Sequence, residues 1–330
     1  MYRIVFISIV ILFSCQQKKE RQMGTIERFD TALDSIINKK AQVEIIAEGF
    51  DWSEGPIWVE KEQMLLFSDV PQNIVYKWTE AKGKEIYLTP SGYTGNLKRG
   101  GEMGSNGLTL NKSGQLVLCQ HGNRQIAVMN APIENPKPVF VPIASQYNSK
   151  RFNSPNDLVF DSKGNLYFTD PPYGLEKNMD DPGKELPFQG VYRVDASGKV
   201  ALLTDTITRP NGIALTPDEK HLLVSNSDST KPGWYIYDLD AAGSLTNGKI
   251  FYDAMAELKK EQGNPDGLKI DKSGNIFATG PGGVWIFNAG GKVLGKIRFP
   301  EKVSNCAFSP DEKTLFITAD NYVLRVKLRD

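Results

Sequence analysis

The chain has 330 residues, more than most compact domains, yet closed all-β folds of this size form single units, so length alone does not require a split. Its 39 Lys and Arg balance 39 Asp and Glu, leaving no net field to draw it to nucleic acid or to an anionic membrane surface. Nucleic-acid partners are disfavoured on that ground.

Residues 1–15, "MYRIVFISIVILFSC", place Arg3 before an apolar run over 4–13, with the small Ser14 ahead of Cys15. The run is too short to span a membrane as an ordinary helix and suits a signal peptide. "LFSC" is similar to the lipobox of bacterial lipoproteins, in which the cysteine is lipidated after cleavage, although Phe13 is bulkier than that pattern takes. A plain secretion signal or an uncleaved anchor are the alternatives. All three export the domain, to the periplasm or cell envelope, and the lipid on Cys15 would be its one membrane contact. Residues 16–23 are polar and read as a tether. Ile26, Phe29, Leu33 and Ile36 or Ile37 then recur at helical spacing, predicting one short amphipathic helix within 16–42. The globular part, 43–330, starts near Val43. Cys119 and Cys306 lie in apolar, strand-like stretches without paired spacing and read as small buried hydrophobes.

From there one pattern recurs. "EGPIWVEKEQMLLFSD" at 54 is followed by "NGLTLNKSGQLVLCQ" at 106, "NDLVFDSKGNLYFTD" at 156, "NGIALTPDEKHLLVSN" at 211, "DGLKIDKSGNIFATG" at 266 and "NCAFSPDEKTLFITAD" at 305. Each copy is a polar residue, a short apolar strand, a polar turn and a second apolar strand. Period-two positions such as Leu158 and Phe160, then Leu166 and Phe168, identify a β-hairpin. Third strands follow, for example "QIAVMN" (125–130) and "GVYRVD" (190–195), and segments such as "EIYLTP" and "KVALLTD" supply fourth ones. Intervals of 50 to 55 residues, with a final one of 39, fit four strands per repeat. The expected fold is all-β, a six-bladed β-propeller preceded by the short helix and the signal segment. A solenoid, the alternative stack of small sheets, has shorter and more regular units. Because the last repeat ends after its third strand near Leu328, residues 43–47 are expected to supply its outer strand and close the ring.

In a propeller the first residue of each innermost strand faces a shared axis. Here these are Glu54, Asn106, Asn156, Asn211, Asp266 and Asn305, all oxygen donors and none basic. Such a ring suits one hard divalent cation that takes six to eight oxygens at about 2.3–2.6 Å, calcium first, with Mg2+, Mn2+ or Zn2+ as alternates. The competing reading makes each Asn or Asp a turn former ahead of Gly. Glu54, a poor turn former, and Asn156, followed by Asp157 instead of Gly, speak against it.

Taken in order, "WSEGPIW" (52–58), "GSNGLTL" (104–110), "QHGNRQI" (120–126), "FNSPNDLVFDSKGNLYFTDPPYG" (152–174), "RPNGIALTPDEKHLLVSN" (209–226) and "NPDGLKID" (264–271) carry a resemblance. The chain resembles the gluconolactonase branch of the senescence-marker-protein/gluconolactonase/luciferin-regenerating-enzyme family, and more distantly squid-type diisopropyl fluorophosphatase. The resemblance covers residues 45–328. It implies hydrolysis of a sugar lactone, with a divalent ion held by Glu54, Asn156, Asn211 and Asp266. Asp266 would be the catalytic residue, as general base or, alternatively, as nucleophile. Asn106 and Asn305 would then be substrate-facing or structural. A non-enzymatic carbohydrate-binding or scaffold propeller with a structural ion is the competing class.

Other candidates lie in loops after second strands. His121 in "QHGNR" and Asp170 and Tyr173 in "TDPPYG" are candidate substrate contacts beside Asn106, while His221 in "DEKHLL" reads as solvated. The Gly-rich stretch 90–107 reads as a lid or rim, and Arg99 and Arg151 are the nearby cations. Dinucleotide fingerprints, phosphate loops and a Gly-x-Ser-x-Gly elbow cannot be read in the sequence.

Overall fold

Alternating apolar side chains send every second residue of a hairpin into the space between neighbouring sheets. In the computed structural model, which describes residues 21–329, six four-to-five-stranded antiparallel sheets result. Blade one uses Ser53–Val59, Met64–Asp69, Ile74–Thr79 and Gly83–Leu88; blade two uses Ser105–Leu110, Leu116–Gln120, Gln125–Met129 and Phe140–Ala144. Blade three uses Leu158–Phe160, Leu166–Asp170, Gly190–Val194 and Val200–Thr204; blade four uses Pro210–Leu215, His221–Asn226, Gly233–Leu239 and Leu245–Asp253. Blade five contains Leu268–Ile270, Ile276–Gly280, Gly283–Phe287 and Val293–Arg298, and blade six Asn305–Phe308, Thr314–Ala319 and Tyr322–Lys327. The innermost strands touch in sequence around the axis, and that of blade six touches that of blade one, so the ring is closed.

The outer strand of blade six comes from the other end of the chain. Val43–Glu48 pairs antiparallel with Tyr322–Lys327, Val43 opposite Val326 and Glu48 opposite Tyr322, as the unfinished last repeat predicts. Cores fill the gaps between blades. Trp234, Trp285 and Phe287 pack between blades four and five, and Phe152, Phe168 and Tyr192 stack in and beside blade three. Cys119 and Cys306 are buried and free within such cores.

The expected amphipathic helix is corrected. Thr25–Arg28 is a strand that adds a fifth member to blade five, Thr25 opposite Arg298, and among the described residues of this segment only Thr31–Ser35 is helical, as a 3-10 turn capped by Asp30 accepting from the Ala32 N–H at 2.8 Å. The spacing was misleading because a 3-10 turn also brings residues three apart together. Leu33, Ile36 and Ile37 enter the core shared by blades five and six, while Phe29 faces solvent. The backbone of Val293–Arg298 would otherwise be an open edge, and pairing it outweighs local helix formation. The signal segment and Cys15 fall outside the described residues.

Three inner strands are bulged where they begin. Pairing jumps from Glu54–Ser68 to Ile57–Leu66, from Ser105–Gln120 to Leu108–Leu118, and from Pro210–Asn226 to Ile213–Val224. A bulge re-aims the side chain at its extra residue, so Glu54, Asn106 and Asn211 sit at irregularities. The Asn-Gly pairs are therefore not turns. Neither Gly107 nor Gly212 has left-handed backbone; a Cβ on Gly107 would lie 2.7 Å from the Asn156 carbonyl oxygen, and one on Gly212 2.3 Å from that of Asp266. Glycine lets adjacent inner strands approach. Gly212→Ala is expected to cost about 2 kcal/mol or more, because backbone and not a flexible side chain must move; an unchanged melting temperature would refute this.

Candidate active site

The bulges and the closed ring bring five of the six repeat-start residues to one cavity. It has a volume of about 390 Å³ and is lined by Glu54, Asn106, Asn156, Asn211 and Asp266, with Trp52, Glu102, Tyr173, Ser227, Asn264 and Lys302 among the residues of its walls and rim. Hydroxyls on the second strands hold this floor in place. Ser68 donates to the Asn106 carbonyl at 2.9 Å, and Thr169 to the Asn211 carbonyl at 2.7 Å, while the Gly107 N–H donates to the Asn156 carbonyl at 2.8 Å. Each bond joins one blade to the next, so the donors are positioned by the ring and not by any single hairpin.

Asn305, the sixth position, does not line the cavity. Its Oδ1 accepts from the Cys306 N–H at 2.8 Å and from Lys269 Nζ at 3.2 Å, which turns its amide NH2 toward Glu54 and toward Asp157 at 3.5 Å.

Burial dominates the electrostatics. Desolvation pushes the Glu54 carboxyl up to about 8; the Gly55 N–H, 2.8 Å away, opposes this, and the charges of Asp157 and Glu102 add to it. The Asp266 carboxyl is held well above the ordinary carboxylate range, first by desolvation and then by repulsion from Glu54, Glu102 and Asp157. The Oδ1 atoms of Asn106, Asn156 and Asp266 are buried and have no hydrogen-bond partner. The Oδ1 of Asn264, on the same cavity, is likewise buried and unpartnered; an unsatisfied buried acceptor costs about 1–3 kcal/mol, so four at one cavity are an arrangement that a cation would stabilise. The residues fit a hard ion: carboxylate and amide oxygens, without sulfur or imidazole facing in. Among the described residues no three His, Cys, Asp or Glu side chains gather closely enough to hold a metal alone, so amide oxygens would have to share the coordination.

The loop candidates separate. Tyr173 lines the cavity, its hydroxyl bonded to that of Ser227, which in turn donates to the Pro265 carbonyl at 2.5 Å; burial pushes the phenol upward. His121 is fully buried behind Asn156, with Nε2 3.5 Å from the Asn156 amide nitrogen and Nδ1 3.4 Å from Glu102. Asp170 lies outside the cavity. Its two oxygens accept from the Asn153 and Ser154 N–H groups, each at 2.8 Å, and desolvation pushes it up to about 7. The same brace recurs: Asp69 accepts from the Asp51 and Trp52 N–H groups, and Asn226 from that of Arg209. The last residue of the second strand thus ties down the backbone entering the innermost strand, which explains the recurrent "FSD", "FTD" and "VSN". His221 is partly exposed, 3.4 Å from Asp238.

The loop 90–107 is a pinned rim. Asn73 Oδ1 accepts from the Gly92 and Tyr93 N–H groups, Gly104 N–H donates to the Val70 carbonyl, and Arg99 donates to the Gly122 and Gly174 carbonyls. Arg99 and Arg151 are consequently engaged with backbone, Arg151 at the Asn123 carbonyl, and the cation on the cavity lining is Lys302. Glu102, Asn264, Ser227 and Lys302 were missed in the sequence. Ser227 follows its second strand as His121 does, so aligning the repeats would have found it. Asn264 stands two residues before Asp266, as Trp52 does before Glu54 and Val303 before Asn305, so the same alignment would have found it, whereas Glu102 and Lys302 sit in connections that differ between repeats.

Comparison with known proteins gives a consistent set of relatives. Residues 52–321 match the family described as SMP-30/Gluconolactonase/LRE-like region. Gluconolactonase of Zymomonas mobilis subsp. mobilis is 41% identical over 313 residues, covering 93% of this chain and 87% of the relative. Regucalcin of Xenopus laevis is 25% identical over 281 residues, covering 83% and 85%. The structure of a gluconolactonase from Xanthomonas campestris superposes with a TM-score of 0.78 at 28% identity, covering 94% and 99%.

Proposed function

The chain belongs to the SMP-30/Gluconolactonase/LRE-like family and is a lactone hydrolase of gluconolactonase type; from that premise we propose that it opens a sugar lactone with one divalent cation, calcium by preference, and with Asp266 as general base. The observation that carries the proposal is the set of buried, unpartnered oxygens of Asn106, Asn156 and Asp266 beside the desolvated Glu54 carboxyl. Glu54, Asn156, Asn211 and Asp266 would hold the ion, with Asn106 close enough in character to join them or to meet substrate. When bound, the ion supplies Lewis-acid polarisation of the lactone carbonyl and charge for the developing oxyanion.

The chain's own residues do the rest. Asp266, ionised, takes a proton from water as the water oxygen bonds to the carbonyl carbon; the ring C–O bond breaks, and the proton passes to the departing ring oxygen, giving the hydroxy acid. Tyr173, Ser227, Glu102 and Asn264 offer acceptors and donors to the hydroxyls of a sugar. A polyol fits such a lining better than an alkyl lactone does. Export on a lipid at Cys15 is part of the proposal and rests on residues 1–15 alone.

Acid release from gluconolactone, followed at constant pH, is expected to require a divalent cation, to vanish with chelator and to return with calcium. Hydrolysis at the buffer rate with every cation would sink the substrate assignment, and a rate indifferent to chelator would sink the role of the ion. Chelation that lowered only the melting temperature would favour a scaffold propeller with a structural ion. Single turnover in oxygen-18 water separates base from nucleophile, since only a covalent route labels the Asp266 carboxylate.

A further inference from the structure

Below the proposed cation ligands the tunnel holds polar side chains that the reaction does not use. The Asp157 carboxylate, 4% exposed, lies under the ring. Lys269 approaches it from the opposite mouth, where it lines an apolar cavity of about 290 Å³ with Ile57, Leu108, Leu158, Ile213 and Phe308. Its stem follows this apolar wall and its ammonium reaches inward, to 3.6 Å from Asp157 Oδ2 and 3.2 Å from Asn305 Oδ1. Asn305 completes the layer by turning its NH2 to Asp157 and Glu54.

The charges can be counted. Glu54 and Asp266 face the cavity, and Asp157 sits close enough for its charge to raise both of their carboxyls. Glu102, at the rim of the cavity, adds a further charge that also raises both carboxyls. With Glu102, four carboxylates thus act on one small volume, and Lys269 pairs with one of them, Asp157. The ammonium is not needed to orient Asn305, because the Cys306 N–H already fixes that amide at 2.8 Å. We propose that Lys269 is a built-in counter-charge, a positioning residue outside the catalytic cavity that offsets Asp157 and leaves Glu54 and Asp266 as the uncompensated charges among the ring residues, matched to one divalent ion. This rests on the cation reading above. Without Lys269 the ring would hold calcium more tightly and would favour trivalent ions.

The test uses the intact protein in its proposed exported form, titrated with calcium by calorimetry and with terbium by sensitised luminescence. Lys269→Met is expected to bind calcium about tenfold more tightly and, since attraction scales with ion charge, terbium about thirtyfold more tightly. Its melting temperature without cation should fall at the same time, because Asp157 is left buried and unpaired. Tighter binding with lower stability is a signature that a merely structural role would not produce. The double variant Lys269→Met/Asp157→Asn should return to nearly the original affinity. If Lys269→Met does not fold, Asp157→Asn alone keeps the question open to measurement, with calcium held about tenfold more weakly. Unchanged or weaker calcium binding in Lys269→Met, or unchanged binding in Asp157→Asn, overturns the counter-charge while leaving the proposed function standing. Failure of the unaltered protein to bind any divalent ion removes both.

Discussion

Asp266→Asn is expected to lower kcat/KM for gluconolactone by about a thousandfold, the usual contribution of a positioned general base, while the cation-free protein becomes more stable. The two effects share one cause. Asp266 is kept beside Glu54, Glu102 and Asp157 in a desolvated cavity, so its charge is costly to the fold and, under the proposed mechanism, serves the reaction. Asparagine keeps the shape and one oxygen for a cation but can neither take a proton nor repel Glu54. Rates by constant-pH titration, together with thermal melts with and without calcium, check both halves. A variant that keeps more than about a tenth of the activity would falsify the base assignment, given the magnitude such a base supplies. A drop in cation-free stability would contradict the electrostatic account.

Without cation, the protein is expected to lose stability steadily between about pH 4.5 and 8, by several kcal/mol in all, at up to about 1.4 kcal/mol per pH unit for each responsible group. The sign follows from direction. Glu54 moves from an ordinary 4.5 up to about 8, Asp170 from 3.8 up to about 7, and Asp266 is also raised. In this window the unfolded chain has released protons that the folded one retains, so raising the pH favours unfolding. The loss stops once the folded groups have ionised. Saturating calcium, if it binds the ionised cavity as proposed, should remove the part due to Glu54 and Asp266. Asp170, tied to the Asn153 and Ser154 backbone away from the cavity, should leave a residual slope up to about pH 7 even with calcium. Denaturant melts across pH 4.5–8, with and without calcium, provide the measurement. Stability that rises through this range in the cation-free protein would reverse the argument.

How far these residues were legible in sequence depended on whether their role repeats. The hairpin recurs six times, so blade number, strand order and the missing strand supplied by Val43–Glu48 could be read from spacing alone. Glu54, Asn156, Asn211 and Asp266 were found because they occupy one repeat position, and they do line one cavity. The same rule overreached at Asp170. There the repeat position is real but its duty is to hold backbone, as Asp69 and Asn226 do. Helical spacing from Ile26 to Ile37 misled in the same way, since an open strand edge elsewhere decided what Thr25–Arg28 would do.

What the sequence determined by itself is therefore the architecture and the set of oxygen donors, because alternating burial and turn chemistry act over a few residues and each copy repeats them. The tertiary structure decided which donors are left free to act. Asn211 and Asn305 open the same pattern, yet only Asn305 has its oxygen taken by Lys269 and Cys306. Glu102 and Lys302 reach the cavity from connections that no repeat predicts. Both outcomes depend on how each blade packs against its neighbours, which the pattern within a single hairpin does not contain.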